Sequence, residues 1–315
     1  MKPVRIGTRS SALAMWQAQL MQNTLSEIGV AREIIPIQSS GDNNLVQPLY
    51  EMGVVGIFTK ELDQALLQKE VDICVHSMKD VPTQLPDGIV EGFVPKRGPA
   101  GDVFVFREKK WKSLPKRTIA TSSLRRQAQW LFAYKKDTVV PLRGNIQTRL
   151  DKIQINNWDG AVFAQAGLQR LATNPATYCP IDWMIPAPAQ GAILVTARED
   201  DPKLLEKIKP LSHQSSHDCV QIERAFLRAL QGGCSAPIGA HAKLQNQSIS
   251  FHGCVTETDG SQHIEIQESF DIQTSDIASS SHQTFELMKV KFFCGKQQWV
   301  THGFLVYEGL APHQP

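Results

Sequence analysis

The residues with the most chemistry to offer in this sequence are one carboxylate and a set of turn-borne arginines. The stretch Val71-Asp-Ile-Cys-Val-His-Ser-Met-Lys-Asp-Val-Pro82 opens as a short β-branched apolar run and closes on His76, Ser77, Lys79 and Asp80. Such a run reads as a buried strand over Val71–Val75, and Pro82 stops its continuation. In open α/β sheets ligands sit just beyond the carboxyl ends of strands, so the polar tail is where chemistry is expected. Asp80 is the only carboxylate in that tail.

Four strand-to-helix turns carry bases: Arg9; Arg125 with Arg126; Arg143 with Arg149; and Arg170. A helix start already offers unpaired N–H groups and a positive dipole end, and a guanidinium adds a two-pronged grip on carboxylates. Taken singly, each is an ordinary solvated arginine. As a set they run against the preference of arginine for the last helical turn, and they imply a polyanionic ligand. Asp80 among these cations is either a cap or ion-pair partner, or a carboxylate facing a developing positive charge. His76 reads as a hydrogen-bonded structural histidine, and Lys79 and Lys60 read equally as ligands or surface charges. Cys234, in the glycine-flanked Gly232-Gly-Cys-Ser-Ala-Pro237, is either an inert thiol or one placed for close approach.

The elements that must position these groups alternate along the chain. Strands are expected at Val4–Gly7, Glu33–Gln38, Val71–Val75 and Gly88–Val94. Helical spacing follows Ser11 from Leu13 to Ile28, and Thr59 is expected to cap a helix through Gln68. After a hinge at Pro95-Lys-Arg-Gly-Pro99 the pattern repeats. Strands Thr118–Ala120, Val139–Val140 and Gly160–Gln165 lead into helices from Leu124, from Ile146 with Asn145 as cap, and from Ala166. A return strand, Ala192–Ala197, then re-enters the first domain. Alternation of this kind implies an α/β fold with mostly parallel sheets. From Ser212 a helix over His217–Leu230 and three alternating strands imply a small α+β domain. The expected division is 1–95 with 192–210, then 96–191, then 211–315.

Composition bounds the rest. The 315 residues are 42% hydrophobic and 20% charged, with a net charge of +2, so any anion binding is local. The six cysteines, 74, 179, 219, 234, 254 and 294, form no C-x-x-C pair or zinc spacing. Met1-Lys-Pro-Val-Arg-Ile lacks a signal-peptide core and no transmembrane-length apolar run occurs, so a reducing cytoplasm is expected.

Seven motifs together resemble one family. Ile6-Gly-Thr-Arg-Ser-Ser-Ala-Leu-Ala, His76-Ser-Met-Lys-Asp-Val-Pro, Thr121-Ser-Ser-Leu-Arg-Arg-Gln, Leu142-Arg-Gly-Asn-Ile-Gln-Thr-Arg, Ala166-Gly-Leu-Gln-Arg-Leu, Pro188-Ala-Gln-Gly-Ala and Gly232-Gly-Cys-Ser-Ala-Pro-Ile-Gly resemble porphobilinogen deaminase, or hydroxymethylbilane synthase. The motifs occur in the family's order across about residues 4 to 255. The resemblance implies two lobes like type II periplasmic binding proteins and a smaller third domain. Cys234 would hold a dipyrromethane cofactor through a thioether. It implies deaminative head-to-tail joining of four porphobilinogen molecules onto that primer, followed by hydrolysis to linear hydroxymethylbilane. Asp80 would be the catalytic acid, stabilising an azafulvenium-type cation. Each ring carries an acetate and a propionate, which would occupy the arginines. Arg125, Arg126, Ser123, Lys79 and Asp80 would contact cofactor, and Arg9, Ser11, Arg143, Arg149, Arg170 and Gln190 substrate, with Ser122 in support. No metal is implied, and the enzyme is expected to be a cytoplasmic monomer with no nucleic-acid or membrane partner.

Ala120 and Ala189 stand where the family has glycine, and Thr196 where an acid is common. Ser279 to Pro315 does not resemble the family's ending. Two other readings compete. One is a non-catalytic carboxylate-binding protein of the same architecture, which leaves Cys234 idle. The other is a single-strand nucleic-acid groove, which lacks aromatic partners interleaved with its arginines.

Overall fold

The computed structural model describes residues 2–39, 58–230 and 236–271. In the first lobe β1 (Val4–Arg9) leads into α1 (Ala12–Glu27) and back to β2 (Arg32–Ile37). Then come α2 (Lys60–Leu67), β3 (Ile73–Ser77), a 3-10 turn at Met78–Asp80, and β4 (Ile89–Phe93). The second lobe holds β5 (Asp102–Phe106), β6 (Thr118–Ala120), α3 (Leu124–Ala133), β7 (Thr138–Val140), α4 (Ile146–Ile155), β8 (Gly160–Ala164), α5 (Gln165–Arg170) and β9 (Tyr178–Pro180). The chain returns as β10 (Ile193–Arg198) and α6 (Pro202–Ile208). It finishes, among the described residues, with α7 (Gln214–Ala229), β11 (Ile238–Gln245), β12 (Ser248–Thr256) and β13 (His263–Asp271).

The two large sheets share one plan. Their orders are β2-β1-β3-β10-β4 and β7-β6-β8-β5-β9. In each, three parallel strands meet an antiparallel fourth that has crossed from the other lobe: β10 in the first, β5 in the second. The α/β expectation therefore holds, with two lobes of type II topology and a three-stranded antiparallel sheet packed on α7 as the small third unit. The inner parallel strand β3 is buried on both faces, as Ile73, Cys74 and Val75 show, while the edge strands β2 and β7 are half-buried to exposed. Among the described residues no helix is long and apolar enough to cross a membrane.

Several local expectations need correction. The strand expected at Val71–Val75 runs instead over Ile73–Ser77, because pairing with β10 carries it onward through His76 and Ser77. Thr59 precedes α2, but its side chain makes no capping hydrogen bond. Strands β5 and β9 escaped the periodicity altogether. The atypical segment from Ser279 lies outside the described residues.

Two crossings between lobes, near residues 94–101 and 187–192, lie side by side. Gly98 N donates to Gly191 O at 3.1 Å. Gly191 has φ +85°, and a Cβ there would lie 2.6 Å from Pro99 O, so only glycine allows this approach. Glu223 of α7, with no exposed surface, ties the crossings together. It accepts two bonds from Arg97 (2.6 and 3.0 Å), one from Ala189 N (2.6 Å) and one from Ala242 N of β11 (2.8 Å). All four donors lose their partner together if the carboxylate is removed. Glu223→Ala should therefore cost about 3–5 kcal/mol in urea unfolding, since it leaves a buried guanidinium unpaired. A loss under about 1 kcal/mol would show that the pair behaves as a surface ion pair.

Candidate active site

The site grows from β3 and from the starts of α3 and α4. Met78 N donates to Ala192 O of the return crossing (3.1 Å) and Val81 N to Met78 O (3.1 Å), so the turn carrying Lys79 and Asp80 is fastened to the lobe junction. Asp80 itself is half-buried, and among the described residues its carboxylate takes part in no hydrogen bond or ion pair.

Across the junction, Asp102 at the head of β5 is fully buried between two guanidinium groups. Its Oδ2 accepts from Arg125 Nη2 at 2.7 Å, and its Oδ1 from Arg126 Nη2 at 2.8 Å and Nε at 3.1 Å. Arg125 also donates to Ile185 O (2.9 Å) and Arg126 to Val162 O (3.0 Å). Burial alone would push the Asp102 carboxyl up, yet the two guanidinium groups hold it down at about 2. Gln190, on the second crossing, donates to the same carboxylate (2.9 Å) and to Ala100 O (2.6 Å), while its Oε1 accepts from Lys79 Nζ at 3.4 Å. One hydrogen-bonded chain therefore runs from Lys79 to Arg125.

Ser123 caps α3 by accepting from Arg126 N (3.4 Å), and Ser122 Oγ accepts from Leu142 N (2.8 Å), joining the two arginine-bearing turns. Gly144, at φ +114°, bends the chain back after Arg143, and its carbonyl accepts from Arg149 Nε at 2.7 Å. Arg149 is pushed down to about 10, first by burial, then by the nearby charges of Arg126 and Arg143, with Asp80 opposing. Burial also lowers Arg143. Lys79 is pushed down to about 8 by burial and by Arg126 and Arg125, against Asp80 and Asp102. Five cations (Lys79, Arg125, Arg126, Arg143, Arg149) thus share one field with two carboxylates, Asp80 and Asp102. That surplus, with Arg125 Nε buried and lacking a partner among the described residues, fits an anionic group bearing several carboxylates.

The remaining expected residues lie around this cluster. Arg9 sits at the end of β1, its guanidinium 4.2 Å from the Phe58 ring centre. Ser11 caps α1 by accepting from Ala14 N (3.4 Å). Arg170 does not stand at a strand-to-helix turn. It ends α5, where a cation suits the carbonyl end of the dipole, donating to Gly191 O (2.6 Å) with the Trp16 ring 5.6 Å away. His76 is buried, pushed down to about 4, and within 3.2 Å of Thr196 Oγ1, so it is neutral near pH 7. Ala189 holds φ +59°, a left-handed conformation suited to glycine. Cys234 lies outside the described residues, between α7 and β11.

Sequence reasoning missed Asp102, Glu223 and Gln129, whose amide pairs with the backbone of Ile185 in both directions (2.9 and 2.8 Å). Asp102 had a signal: a carboxylate heading the run Asp-Val-Phe-Val-Phe106 directly after a crossing.

Two α/β lobes exchange a strand and meet at a cationic junction where Asp80 is unpartnered among the described residues, an arrangement suited to ligands bearing several carboxylates. A family model described as "Porphobilinogen deaminase, dipyromethane cofactor binding domain" matches residues 4–206, and one described as "Porphobilinogen deaminase, C-terminal domain" matches residues 217–281. The porphobilinogen deaminase of Pelotomaculum thermopropionicum is 45% identical over 268 residues, covering 83% of this chain and 86% of that protein. That of Alkaliphilus metalliredigens is 41% identical over 278 residues, covering 86% and 88%. Among solved structures, a periplasmic substrate-binding protein of an ABC transporter from Coxiella burnetii aligns with TM-score 0.42 at 17% identity, over 68% of this chain and 93% of its own. The chain belongs to the porphobilinogen deaminase family. Membership favours the transferase over the non-catalytic carboxylate-binding protein.

Lys79 provides a direct check on the site's electrostatics. Its folded value lies below the ordinary lysine value, so the folded state binds fewer protons between about 8 and 10.5, and this group adds stability as pH rises through that window. Near pH 8 it is about half deprotonated, whereas an exposed lysine stays protonated. Limited acetylation of ligand-free protein at that pH should label Lys79 ahead of exposed Lys135, read by peptide mass mapping. Preferential labelling of Lys135 would show that the Lys79 ammonium is not desolvated.

Proposed function

We propose that this chain is a hydroxymethylbilane synthase in which Asp80 is the catalytic acid and Cys234 carries the dipyrromethane primer through a thioether. The observation that carries this reading is a carboxylate without a partner among the described residues, held in a fastened turn within a field of surplus positive charge. The dipyrromethane, when bound, would supply the free pyrrole α-carbon to which the first ring is joined, each later ring joining the one before it. Arg125, Arg126, Ser123 and Lys79 would hold its carboxylates, the buried arginines being already aimed by Asp102 and Gln190. Arg9, Ser11, Arg143, Arg149, Arg170 and Gln190 would hold the acetate and propionate of incoming porphobilinogen.

The chemistry asked of Asp80 is electrostatic. As the C–N bond of the protonated aminomethyl group breaks, its electron pair leaves with the nitrogen as ammonia, and the positive charge passes to the ring and spreads to the pyrrole N–H. A carboxylate accepting that N–H stabilises the charge as it develops, and no competing bond has to be broken first. His76, neutral and buried, takes no part in the proton transfers. In this reading residues 1–95 with 192–210 supply Asp80, residues 96–191 supply the paired arginines, and residues 211–315 bring the cysteine. The enzyme would act as a cytoplasmic monomer on a small molecule.

Intact mass of the purified protein with mapping of the Cys234 peptide should reveal an adduct of two pyrrole units, absent in Cys234→Ala. An unmodified Cys234 after incubation with porphobilinogen would sink the reading. Asp80→Asn should keep the adduct and lose turnover on the order of 10²-fold or more. Near-normal turnover in that variant would remove Asp80 from the mechanism.

A further inference from the structure

Nothing grips the Asp80 carboxylate directly among the described residues, so its direction is set by the backbone of its own turn. The amino end of that turn is fixed by Met78 N donating to Ala192 O at 3.1 Å. The carboxyl end is fixed from a different part of the chain. Arg224, in the middle of α7, donates from Nη1 to Val81 O at 3.0 Å and from Nη2 to Pro82 O at 2.6 Å. The fork of one guanidinium thus spans two successive carbonyls, the first belonging to the residue directly after Asp80.

Arg224 is only 5% exposed, and among the described residues no carboxylate stands within ion-pair distance of it. Burial, with the neighbouring charge of Arg228, lowers it to about 10 against the opposing charge of Glu91. A buried cation is costly when its hydrogen-bond partners are two neutral carbonyls and the opposing charge of Glu91 lies beyond ion-pair distance. The charge is therefore poorly explained by stability alone. A leucine or methionine would fill the same space beside Met78, Val81 and Val220, which already form one apolar cluster. What an apolar side chain lacks is the two-point hold on backbone direction.

We propose that Arg224 is a positioning residue for Asp80: by clasping the carbonyls of Val81 and Pro82, it fixes the turn that aims the carboxylate at the reacting pyrrole. This rests on the reading of Asp80 as the catalytic acid. Arg228, one turn further along α7, reaches only Thr83 O, at 3.5 Å, from an exposed position, and is a matched control for loss of charge on the same helix face.

The test uses the full-length, cofactor-loaded enzyme with three variants. In Arg224→Gln, kcat should fall about tenfold or more, because a small misplacement of the acid is expensive. KM should stay within about twofold and the Cys234 adduct should persist, since a residue acting only on folding would not produce that split. Arg224→Lys, with one donor centre for two carbonyls, should fall in between, about threefold down. Arg228→Gln should match the parent. If Arg224→Gln does not fold, Arg224→Lys carries the same comparison. A parent-like kcat in the Arg224 variants overturns the inference, as does a fall in kcat that only tracks loss of adduct. An inactive Asp80→Asn beside a fully active Arg224→Gln sinks this inference alone, whereas an active Asp80→Asn sinks the reading beneath it.

Discussion

The site depends on one buried carboxylate being where two buried guanidinium groups need it. Asp102 has no exposed side-chain surface, and Arg125 and Arg126 have almost none. Taking any of these charges out of water alone costs several kcal/mol, so none of the three is tolerable without the others. Their mutual satisfaction fixes the direction of both arginines before any ligand arrives. Asp102 also heads β5, the strand that has just crossed from the first lobe, and Gln190 of the other crossing bonds to it. The ion cluster and the lobe junction are therefore one structure, and Lys79 reaches it through the same glutamine.

What Asp102 does not do is neutralise the site. It balances one of its two arginines, and Arg149, Arg143 and Lys79 lie beyond it, all lowered by burial. Lowered values in bases mean that the charged forms are disfavoured without a counter-charge, so an incoming carboxylate relieves repulsion as well as forming hydrogen bonds. A neutral ligand of the same shape would gain no such relief. On the proposed assignment of these cations, a preference for carboxylate-bearing pyrroles would follow from charges that the fold buries without a ligand.

Local features were legible in the sequence, and long-range ones were not. Asn145 was readable because capping is a matter of three residues, and it accepts the expected Thr148 N–H, whereas Thr59, marked by the same signal, makes no capping bond. Asp80 and the arginine turns were readable because strand-end position and residue type suffice to mark them. Ala189 stood out as a glycine replacement, and it does hold a left-handed backbone. Asp102 and Glu223 were invisible because their partners lie far off along the chain, Arg126 being 24 residues from Asp102 and Arg97 being 126 from Glu223. No periodicity encodes a pairing of that span. Strands β5 and β9 were lost because each is short and gains its place through antiparallel pairing on an edge that only the crossing creates. Arg170 was misplaced because Ala166-Gly-Leu-Gln-Arg-Leu171 contains too little helix to separate its start from its end.

Helix α7 gathers these long-range constraints. Successive residues face different parts of the junction: Glu223 binds both crossings and β11, while Arg224 binds the carbonyls after Asp80. The helix then runs on to the segment that carries Cys234. A carboxylate meant to meet a transient cation cannot be held by a strong partner of its own, because that partner would compete with the cation. Its precision must come instead from the backbone, and the backbone here is held by the element that leads to the cysteine. On the proposed role of Asp80, its lack of a partner among the described residues and the hold of α7 on its turn answer the same requirement.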